Sequence, residues 1–244
     1  MDGVIVRGHA MVPGADSFIE RLRAGHHKFL VLTNSSLHTR RDLRHRLLQA
    51  GLDIPEENIY TSALATAYFL QQQKPGGTAF VLGEAGLTQA LHEAGFILTE
   101  REPDYVVIGE THNYDFDRIT RAIRFIRAGA RPVATNPDVS GPVESGLVPA
   151  CGALAALIQS ASGVEPYFVG KPNPLMMRTA LRLLQEHSEN AVMIGDRMDT
   201  DMITGIESGM ETILVLSGVT RREDVGRFAY RPARIAESVA ELEP

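Results

Sequence analysis

The chain has 244 residues, of which 44% are hydrophobic, 22% charged and 6% aromatic. This length and composition exclude a disordered or fibrous chain and allow one large core with a smaller second domain. With 24 basic against 30 acidic residues, the formal net charge is -6, so we predict no nucleic-acid partner. The longest apolar runs fall far short of the ~20 residues of a membrane helix, and the first residues lack a secretory pattern, which predicts a cytoplasmic protein outside the membrane.

Short apolar runs rich in β-branched residues alternate with amphipathic stretches, as in parallel strands covered by helices. In chain order, the predicted elements are a helix over residues 15–24, a strand over 29–33, helices over 37–50 and 62–72, strands over 79–83 and 105–109, a helix over 116–128, strands over 132–135 and 167–170, a helix over 175–186, a strand over 191–195, a helix over 201–208 and a strand over 212–216. This alternation predicts an α/β fold with a doubly wound parallel sheet.

The middle third of the chain is bounded by two breaks in the pattern. Pro75, Gly76 and Gly77 form the first break, and Ser162 with Gly163 forms the second. The segment between them has its own strands and helices, so we predict an inserted domain. Its Gly- and Pro-rich stretch over residues 140–149 is predicted to be a loop.

Polar residues directly after the predicted strands are the candidate site, because ligands of open α/β sheets bind beyond the carboxyl ends of the strands. Four clusters meet this condition: Asp2-Gly3, Thr33-Asn34-Ser35-Ser36, Gly170-Lys171-Pro172 and the segment from Gly195 to Asp201. Each has a simpler interpretation when taken alone. Thr33 and Asn34 are suited to capping the next helix, Lys171 to a solvated loop, and Asp199 or Asp201 to a helix N-terminus.

Taken together, the four clusters resemble the motifs of the haloacid-dehalogenase superfamily of phosphatases, and more closely its NagD-type branch. The matching segments are Asp2-Gly3-Val4, Pro13-Gly14-Ala15, Thr33-Asn34-Ser35, Ala134-Thr135-Asn136-Pro137-Asp138, Gly170-Lys171-Pro172, residues 195–201 and Ser217-Gly218. The resemblance covers nearly the whole chain. It implies a Rossmann-like core of residues 1–75 and 166–244 and an inserted α/β cap of residues 76–165 that sets substrate specificity.

The resemblance also implies a Mg²⁺-dependent phosphomonoester hydrolase that works through an aspartyl phosphate. Asp196 matches the family's metal carboxylate, and the backbone carbonyl of Asp2 would complete the metal site. Asp201 matches the second acidic metal position, where it would hold a metal-bound water or orient Lys171. The Asp2 carboxyl matches the general acid that protonates the leaving oxygen. The implied substrate-binding residues are Thr33 through its hydroxyl, Asn34 through its backbone N–H and Lys171 through its ammonium group. The backbone amides of Arg197, Met198, Asp199 and Thr200 are also implied to face the substrate.

One part of the family pattern is absent. The first motif reads Asp-x-Asp-Gly, and Asp2 with Gly3 fits its second half, so the attacking Asp would stand directly before Met1. We therefore expect that the true chain starts upstream and that the given residues lack this nucleophile and its strand. The alternative is a catalytically inactive phosphoester-binding protein. An in-frame Asp codon before the Met1 codon would favour the enzyme.

The expected substrates are small phosphorylated metabolites, above all nucleoside monophosphates such as UMP. In the predicted cap, Asn136, Asp138 and the segment from Glu110 to Asp115 follow strands, and either substrate discrimination or a simple turn fits them. Cys151, the single cysteine, is predicted to be a small residue at a helix start rather than a nucleophile. The oligomeric state stays open, and a homo-oligomer is compatible with the sequence.

Overall fold

The computed structural model describes residues 1–143 and 146–243. The chain divides into two compact units, the first made of Met1–Thr33, Asp42–Tyr60 and Lys171–Pro244, the second of Asn34–Arg41 and Thr61–Gly170. These borders differ from the predicted ones at 75/76 and 165/166. The helix at Ser62–Gln73 packs against the helix at Ala85–Glu93 and so belongs to the second unit.

Eight α-helices are present in the described part of the chain: α1 (Ala15–Ala24), α2 (Arg40–Gln49), α3 (Ser62–Gln73), α4 (Ala85–Glu93), α5 (Phe116–Arg127), α6 (Cys151–Ser162), α7 (Pro174–Leu184) and α8 (Ile203–Glu207). A π-helical turn at Met198–Met202 leads into α8. Side-chain caps explain several starts, since Thr61 accepts from the Leu64 amide and Asp115 from the Arg118 amide. No helix of the described residues has the length and apolar character to cross a bilayer.

Fourteen strands are present in the same residues: β1 (Val6–Arg7), β2 (Ala10–Met11), β3 (Val31–Thr33), β4 (Ile59–Thr61), β5 (Thr78–Leu82), β6 (Ile97–Leu98), β7 (Tyr105–Ile108), β8 (Arg131–Ala134), β9 (Ser140–Val143), β10 (Gly146–Pro149), β11 (Tyr167–Phe168), β12 (Val192–Gly195), β13 (Glu211–Val215) and β14 (Arg234–Ala236). The seven predicted strands all have an observed counterpart, and the architecture is α/β as predicted.

The first unit contains a parallel sheet in the order β12-β13-β14, a pair β3-β4 and a small antiparallel pair β1-β2. The sheet predicted for this core is therefore present in two main parts, β12-β13-β14 and β3-β4. The backbone nitrogen of Met1 donates to Leu32 O of β3 over 2.9 Å, so the start of the chain meets this strand. Phe18, Leu47 and Val215 belong to one buried apolar core that α1, α2 and β13 share. This core holds the ends of β3, β12 and β13 in place.

The second unit is built on a five-stranded sheet in the order β11-β8-β7-β5-β6, in which all neighbours are parallel. Phe80 and Ile108 from the sheet pack with Ile126 of α5 and Leu154 of α6 in its core. The three inner strands β5, β7 and β8 are buried over most of their length, which explains why their sequences are nearly continuous apolar runs.

The loop prediction for residues 140–149 is wrong. β9 and β10 form an antiparallel ladder with Ser140 opposite Pro149, and the Ala150 amide donates to Val139 O at its end. Backbone pairing supplies the structure of this segment although glycine and proline disfavour strands. Glu144 and Ser145, which the same prediction included, lie outside the described residues.

Candidate functional site

Lys171 and Asp201 form a buried ion pair in the first unit. The Nζ atom of Lys171 lies 2.6 Å from Oδ1 of Asp201, and the two residues are 7% and 4% exposed. Asp201 Oδ2 accepts from the backbone amides of Asp196 and Arg197 over 3.1 and 3.2 Å. Burial alone would raise the pKa of Asp201, but the charge and hydrogen bond of Lys171 lower it. Asp201 is therefore an ionised carboxylate, and the interpretation of Lys171 as a solvated cation is wrong.

Asp196 directly follows β12 and is 6% exposed. Its Oδ2 atom accepts from the Val219 amide over 2.8 Å. Two glycines approach the carboxylate, because a Cβ atom on Gly3 or Gly218 would lie only 2.3 or 2.0 Å from Oδ2. Burial and the nearby charge of Asp201 raise the pKa of Asp196. This carboxylate therefore sits in a place where a cation would be stabilising.

The Asp196 and Asp201 carboxylates fit a divalent metal of the Mg²⁺ type. Such ions prefer oxygen ligands and commonly use one or two carboxylates, with water completing the shell. The described residues contain no group of three His, Cys, Asp or Glu side chains placed to hold a metal. A metal would therefore depend on these two carboxylates, backbone carbonyls and water. The glycines beside Asp196 leave room that any larger residue would fill.

The structure places the Asp2 carboxylate against α2 and not in a three-carboxylate group with Asp196 and Asp201. Its Oδ1 atom lies 2.5 Å from the Arg46 guanidinium, and the Asp2 side chain is 51% exposed. The next residue, Gly3, is the one next to Asp196, and its carbonyl accepts from Ser217 Oγ over 2.7 Å. The backbone of the first motif is thus at the site while the carboxylate is paired elsewhere. The sequence contained no signal for the Arg46 contact.

Thr33 is the last residue of β3 and is buried. It does not cap a helix, because α2 begins at Arg40. Asn34 follows Thr33 and opens the second unit, where its Nδ2 donates to Asp138 Oδ2 over 2.9 Å. The Asn34 carbonyl accepts from Asn136 Nδ2 over 2.7 Å and also from Ser62 Oγ. The side chain and the carbonyl of Asn34 are therefore both fixed within the second unit.

Glu110 holds the two serines that follow Asn34. Its Oε2 atom accepts from Ser35 Oγ over 2.8 Å and from the Ser36 amide over 2.9 Å. The Glu110 amide in turn donates to Ser36 Oγ over 2.9 Å, and Asn136 is a further side-chain donor to the carboxylate. Burial raises the pKa of Glu110 although these hydrogen bonds oppose it. The sequence marked Glu110 only as part of a polar segment after a strand.

The segment from Arg197 to Thr200 uses part of its polar groups within the first unit. The Arg197 guanidinium binds both oxygens of Asp199 over 2.9 and 2.8 Å. The Arg197 amide donates to Asp201, and the Met198 amide donates to Thr220 Oγ1 over 3.2 Å. The expectation that all four amides face a substrate is therefore wrong for Arg197 and Met198.

Cys151 is the first residue of α6 and is fully buried. Its sulfur contacts Thr135 Oγ1 and Ile108 O, both at 3.4 Å. Burial raises the pKa of the thiol to about 11, which leaves almost no thiolate at neutral pH. The predicted position at a helix start is thus confirmed, and the buried thiol remains predicted to have no nucleophilic role.

Two family models match the chain. A model of haloacid dehalogenase-like hydrolases matches residues 1–97, and a HAD-hydrolase-like model matches residues 168–242. The first match begins at residue 1, so it gives no support to the expectation that the chain starts upstream.

Individual proteins are similar over almost the whole chain. The dihydroxyacetone phosphatase of Corynebacterium glutamicum is 54% identical, over 99% of this chain and 88% of that protein. The ribonucleotide monophosphatase NagD of Escherichia coli is 44% identical, over 100% of this chain and 96% of that protein. The solved structure of NagD from Escherichia coli K-12 superimposes with a TM-score of 0.94, covering 99% of this chain and 95% of that one.

Proposed function

Because the chain belongs to the haloacid dehalogenase-like hydrolases, in their NagD-type branch, we propose that it is a Mg²⁺-dependent phosphatase of small phosphomonoesters. The observation that carries the proposal is the buried arrangement of Asp196, Asp201 and Lys171 at the ends of β12 and the neighbouring segments. Burying a charged side chain lowers the stability of the fold unless the charge is paired with an opposite charge or binds a ligand. A metal and a phosphoryl group are ligands that these three side chains suit.

The proposed metal ligands are the Asp196 carboxylate, Asp201 and the backbone carbonyl of Asp2. When bound there, Mg²⁺ would supply Lewis-acid stabilisation and reduce the repulsion between an anionic substrate and an anionic nucleophile. The hydrogen bonds from the amides of Asp196 and Arg197 hold Asp201 in one orientation. They therefore fix the Asp201 carboxylate in an orientation in which it can bind the metal or a water bound to it.

The substrate's phosphoryl oxygens are proposed to bind the Thr33 hydroxyl, the Asn34 backbone N–H and the Lys171 ammonium. Lys171 offers a compact charge whose position is fixed by Asp201. The Asp2 carboxyl would give a proton to the leaving alcohol oxygen and later take one from the attacking water. This role requires the Asp2 side chain to turn away from Arg46, which holds it in the structure.

The proposed reaction passes through an aspartyl phosphate. A carboxylate oxygen attacks phosphorus, the alcohol leaves with a proton, and water then cleaves the acyl phosphate to release orthophosphate. In the family pattern the attacking Asp stands two positions before the residue that Asp2 matches. A test therefore compares two proteins, the 244-residue chain and the same chain preceded by an apolar strand that ends in Asp.

For the substrate we retain nucleoside monophosphates such as UMP, in line with the name of the Escherichia coli relative. The 54% identity to a dihydroxyacetone phosphatase favours dihydroxyacetone phosphate as a second candidate. The two differ strongly in the size of the leaving group, so their relative turnover separates them.

The experiment measures phosphate release from UMP, dihydroxyacetone phosphate and p-nitrophenyl phosphate with Mg²⁺ or with EDTA. In the chain preceded by the strand and its Asp, we expect Mg²⁺-dependent turnover of roughly 1 to 10³ per second on the preferred substrate. With EDTA we expect no turnover. Asp196→Asn should abolish the Mg²⁺-dependent turnover. Phosphate binding without turnover in both chains would support the inactive phosphoester-binding alternative, which the phosphatase relatives do not favour.

A further inference from the structure

Glu110 is a carboxylate of the second unit that the proposed reaction does not use. It lies just beyond the end of β7, at Ile108, and the donors around it come from Ser35, Ser36 and Asn136. Two of these donor residues, Ser35 and Ser36, directly follow Asn34 in the sequence. A partly buried carboxylate loses hydration, and its hydrogen bonds only partly offset the loss. The burial of Glu110 beside this segment is therefore unfavourable for folding and needs a functional explanation.

The segment over residues 34–36 is fixed at both ends. At its start, the Asn34 carbonyl accepts from Asn136 and Ser62. At its end, the Ser36 amide donates to Glu110, and the Ser36 hydroxyl accepts from the Glu110 amide. The two anchored groups belong to consecutive planar peptide groups that are joined only at the Ser35 Cα atom, so little backbone freedom remains. The orientation of Asn34 therefore depends on Glu110.

We infer that Glu110 is a positioning residue: by holding Ser35 and Ser36, it sets the geometry with which Asn34 binds the phosphoryl group. This role rests on the proposed function, because it gives the Asn34 segment a ligand to bind. Small displacements of a binding group from its productive geometry cost large factors in affinity or rate. Removal of Glu110 should therefore weaken phosphate binding more than it weakens the fold.

Glu84 provides a matched control within the same unit. Its Oε1 atom also accepts from one hydroxyl, Thr111 Oγ1 over 2.6 Å, and from one backbone amide, His112 over 3.3 Å. Its donors, Thr111 and His112, are the two residues that follow Glu110, and neither Ser35, Ser36 nor Asn34 is among them. Glu84→Gln thus repeats the chemical change of Glu110→Gln without removing an acceptor of Ser35 or Ser36.

The experiment measures the dissociation constant of inorganic phosphate in the presence of Mg²⁺ by calorimetry, using the 244-residue protein. It needs no turnover and therefore no nucleophile. We expect Glu110→Ala to weaken binding about 10-fold or more and Glu84→Gln to change it less than about 2-fold. Glu110→Gln should fall between them, because one amide oxygen still accepts from Ser35 and Ser36 while its NH₂ group faces the donor of Asn136.

Amide NMR resonances of Asn34, Ser35 and Ser36 supply a second readout. They should shift more in both Glu110 variants than in Glu84→Gln, which keeps the Glu110 hydrogen bonds to Ser35 and Ser36. If Glu110→Ala fails to fold, Glu110→Gln carries the comparison. Wild-type phosphate binding that Glu110→Gln leaves equal to Glu84→Gln overturns the positioning role but not the phosphatase. Absence of both phosphate binding and turnover in the wild type overturns the proposed function, and the positioning role with it.

Discussion

The buried ammonium of Lys171 lies 2.6 Å from a carboxylate oxygen of Asp201, thirty residues further along the chain. The pair joins the segment before α7 to the π-helical turn after β12, and it holds two proposed functional groups in contact. A buried pair of this kind stabilises little relative to apolar residues, yet each partner makes the other tolerable.

Breaking this pair should destabilise the protein strongly. Lys171→Met leaves the Asp201 charge buried beside two amides, so we expect the free energy of unfolding to fall by about 3–5 kcal/mol. Adding Asp201→Asn should restore part of the loss, because the remaining charge is removed too. Urea unfolding of both single variants and the double variant measures the coupling.

The exposed pair of Lys28 and Glu186 at 2.7 Å is the control. Lys28→Met should lower the free energy of unfolding far less than Lys171→Met does, since solvent screens the exposed charges. A loss in Lys171→Met no larger than this would contradict a buried, mutually dependent pair.

Asp196→Asn should separate metal binding from folding. In the folded protein the pKa of Asp196 is raised, so its ionised form destabilises the fold as the pH rises through that pKa. A neutral amide should therefore leave the metal-free protein as stable at pH 7 as the wild type, or more so. We expect Mg²⁺ to raise the melting temperature of the wild type and not that of Asp196→Asn.

Asp53→Asn is the matched control, because Asp53 is exposed and its ion pair with Arg44 is long at 3.4 Å. This variant should retain the full Mg²⁺ shift. An equal Mg²⁺ shift in Asp196→Asn would refute the metal role of Asp196.

The sequence predicted the elements well where local signals are strong. The predicted bounds of helix α1 equal the observed ones, because an apolar stripe ends at Gly25. The predicted strand over 105–109 extends one residue beyond β7, whose four apolar residues made it recognisable. The sequence missed the β9–β10 ladder, where pairing outweighs low strand propensity. It also missed the burial of Lys171, since that depends on a partner far along the chain.

The site residues show the same division. Strand ends located Asp196, Thr33 and Asn34 from local pattern alone. The Asp2 contact with Arg46 joins residues 44 positions apart, and no local pattern encodes it. The role of Glu110 was equally hidden, because its donors come from residues 74 and 75 positions away.

Asn136 and Asp138 should differ in their effect on substrates, although the sequence grouped them. Asn136 is fully buried and donates to the Asn34 carbonyl, so Asn136→Ala should lower turnover of every substrate by a similar factor. It should also cost about 1–3 kcal/mol of stability by leaving a buried acceptor with one donor fewer. Asp138 is only partly buried and binds the Asn34 amide group.

Asp138→Ala should therefore change the ratio of turnover between UMP, dihydroxyacetone phosphate and p-nitrophenyl phosphate. The measurement is kcat/KM for each substrate in each variant. A uniform loss in Asp138→Ala would show that Asp138 only supports the turn at Asn136.

The Cys151 thiol should be unreactive in the native protein. Its sulfur is fully buried and the thiol pKa is raised to about 11, so neither access nor thiolate is available at pH 8. A chromogenic disulfide reagent should label less than one thiol per chain over an hour, and one per chain at once in concentrated urea. Rapid native labelling would mean that the helix start at Cys151 opens easily.

Asp104 should make stability depend on pH in the acid range. Its carboxylate accepts from Lys74 Nζ over 2.5 Å and from the amide and hydroxyl of Thr78 over 2.9 and 3.0 Å. The hydrogen bond of Lys74, followed by that of the Thr78 amide, lowers the pKa of Asp104 from 3.8 to about 2. The carboxylate is thus bound more strongly in the folded state than its protonated form.

A lowered pKa in the folded state means that this contribution is complete above the unfolded pKa and disappears as the pH falls towards 2. The Asp104 side chain is 26% exposed and the Lys74 side chain 49%, so solvent screens their interaction. We therefore expect the Asp104 carboxylate to contribute only about 1 kcal/mol to the free energy of unfolding. Asp104→Asn should lower the free energy of unfolding by that amount at pH 7 and leave it unchanged near pH 2. Urea unfolding between pH 2 and 7 measures the difference in free energy of unfolding between the wild type and Asp104→Asn, with Asp53→Asn as control. A difference that is constant across this range would show that the carboxylate charge is not the stabilising element.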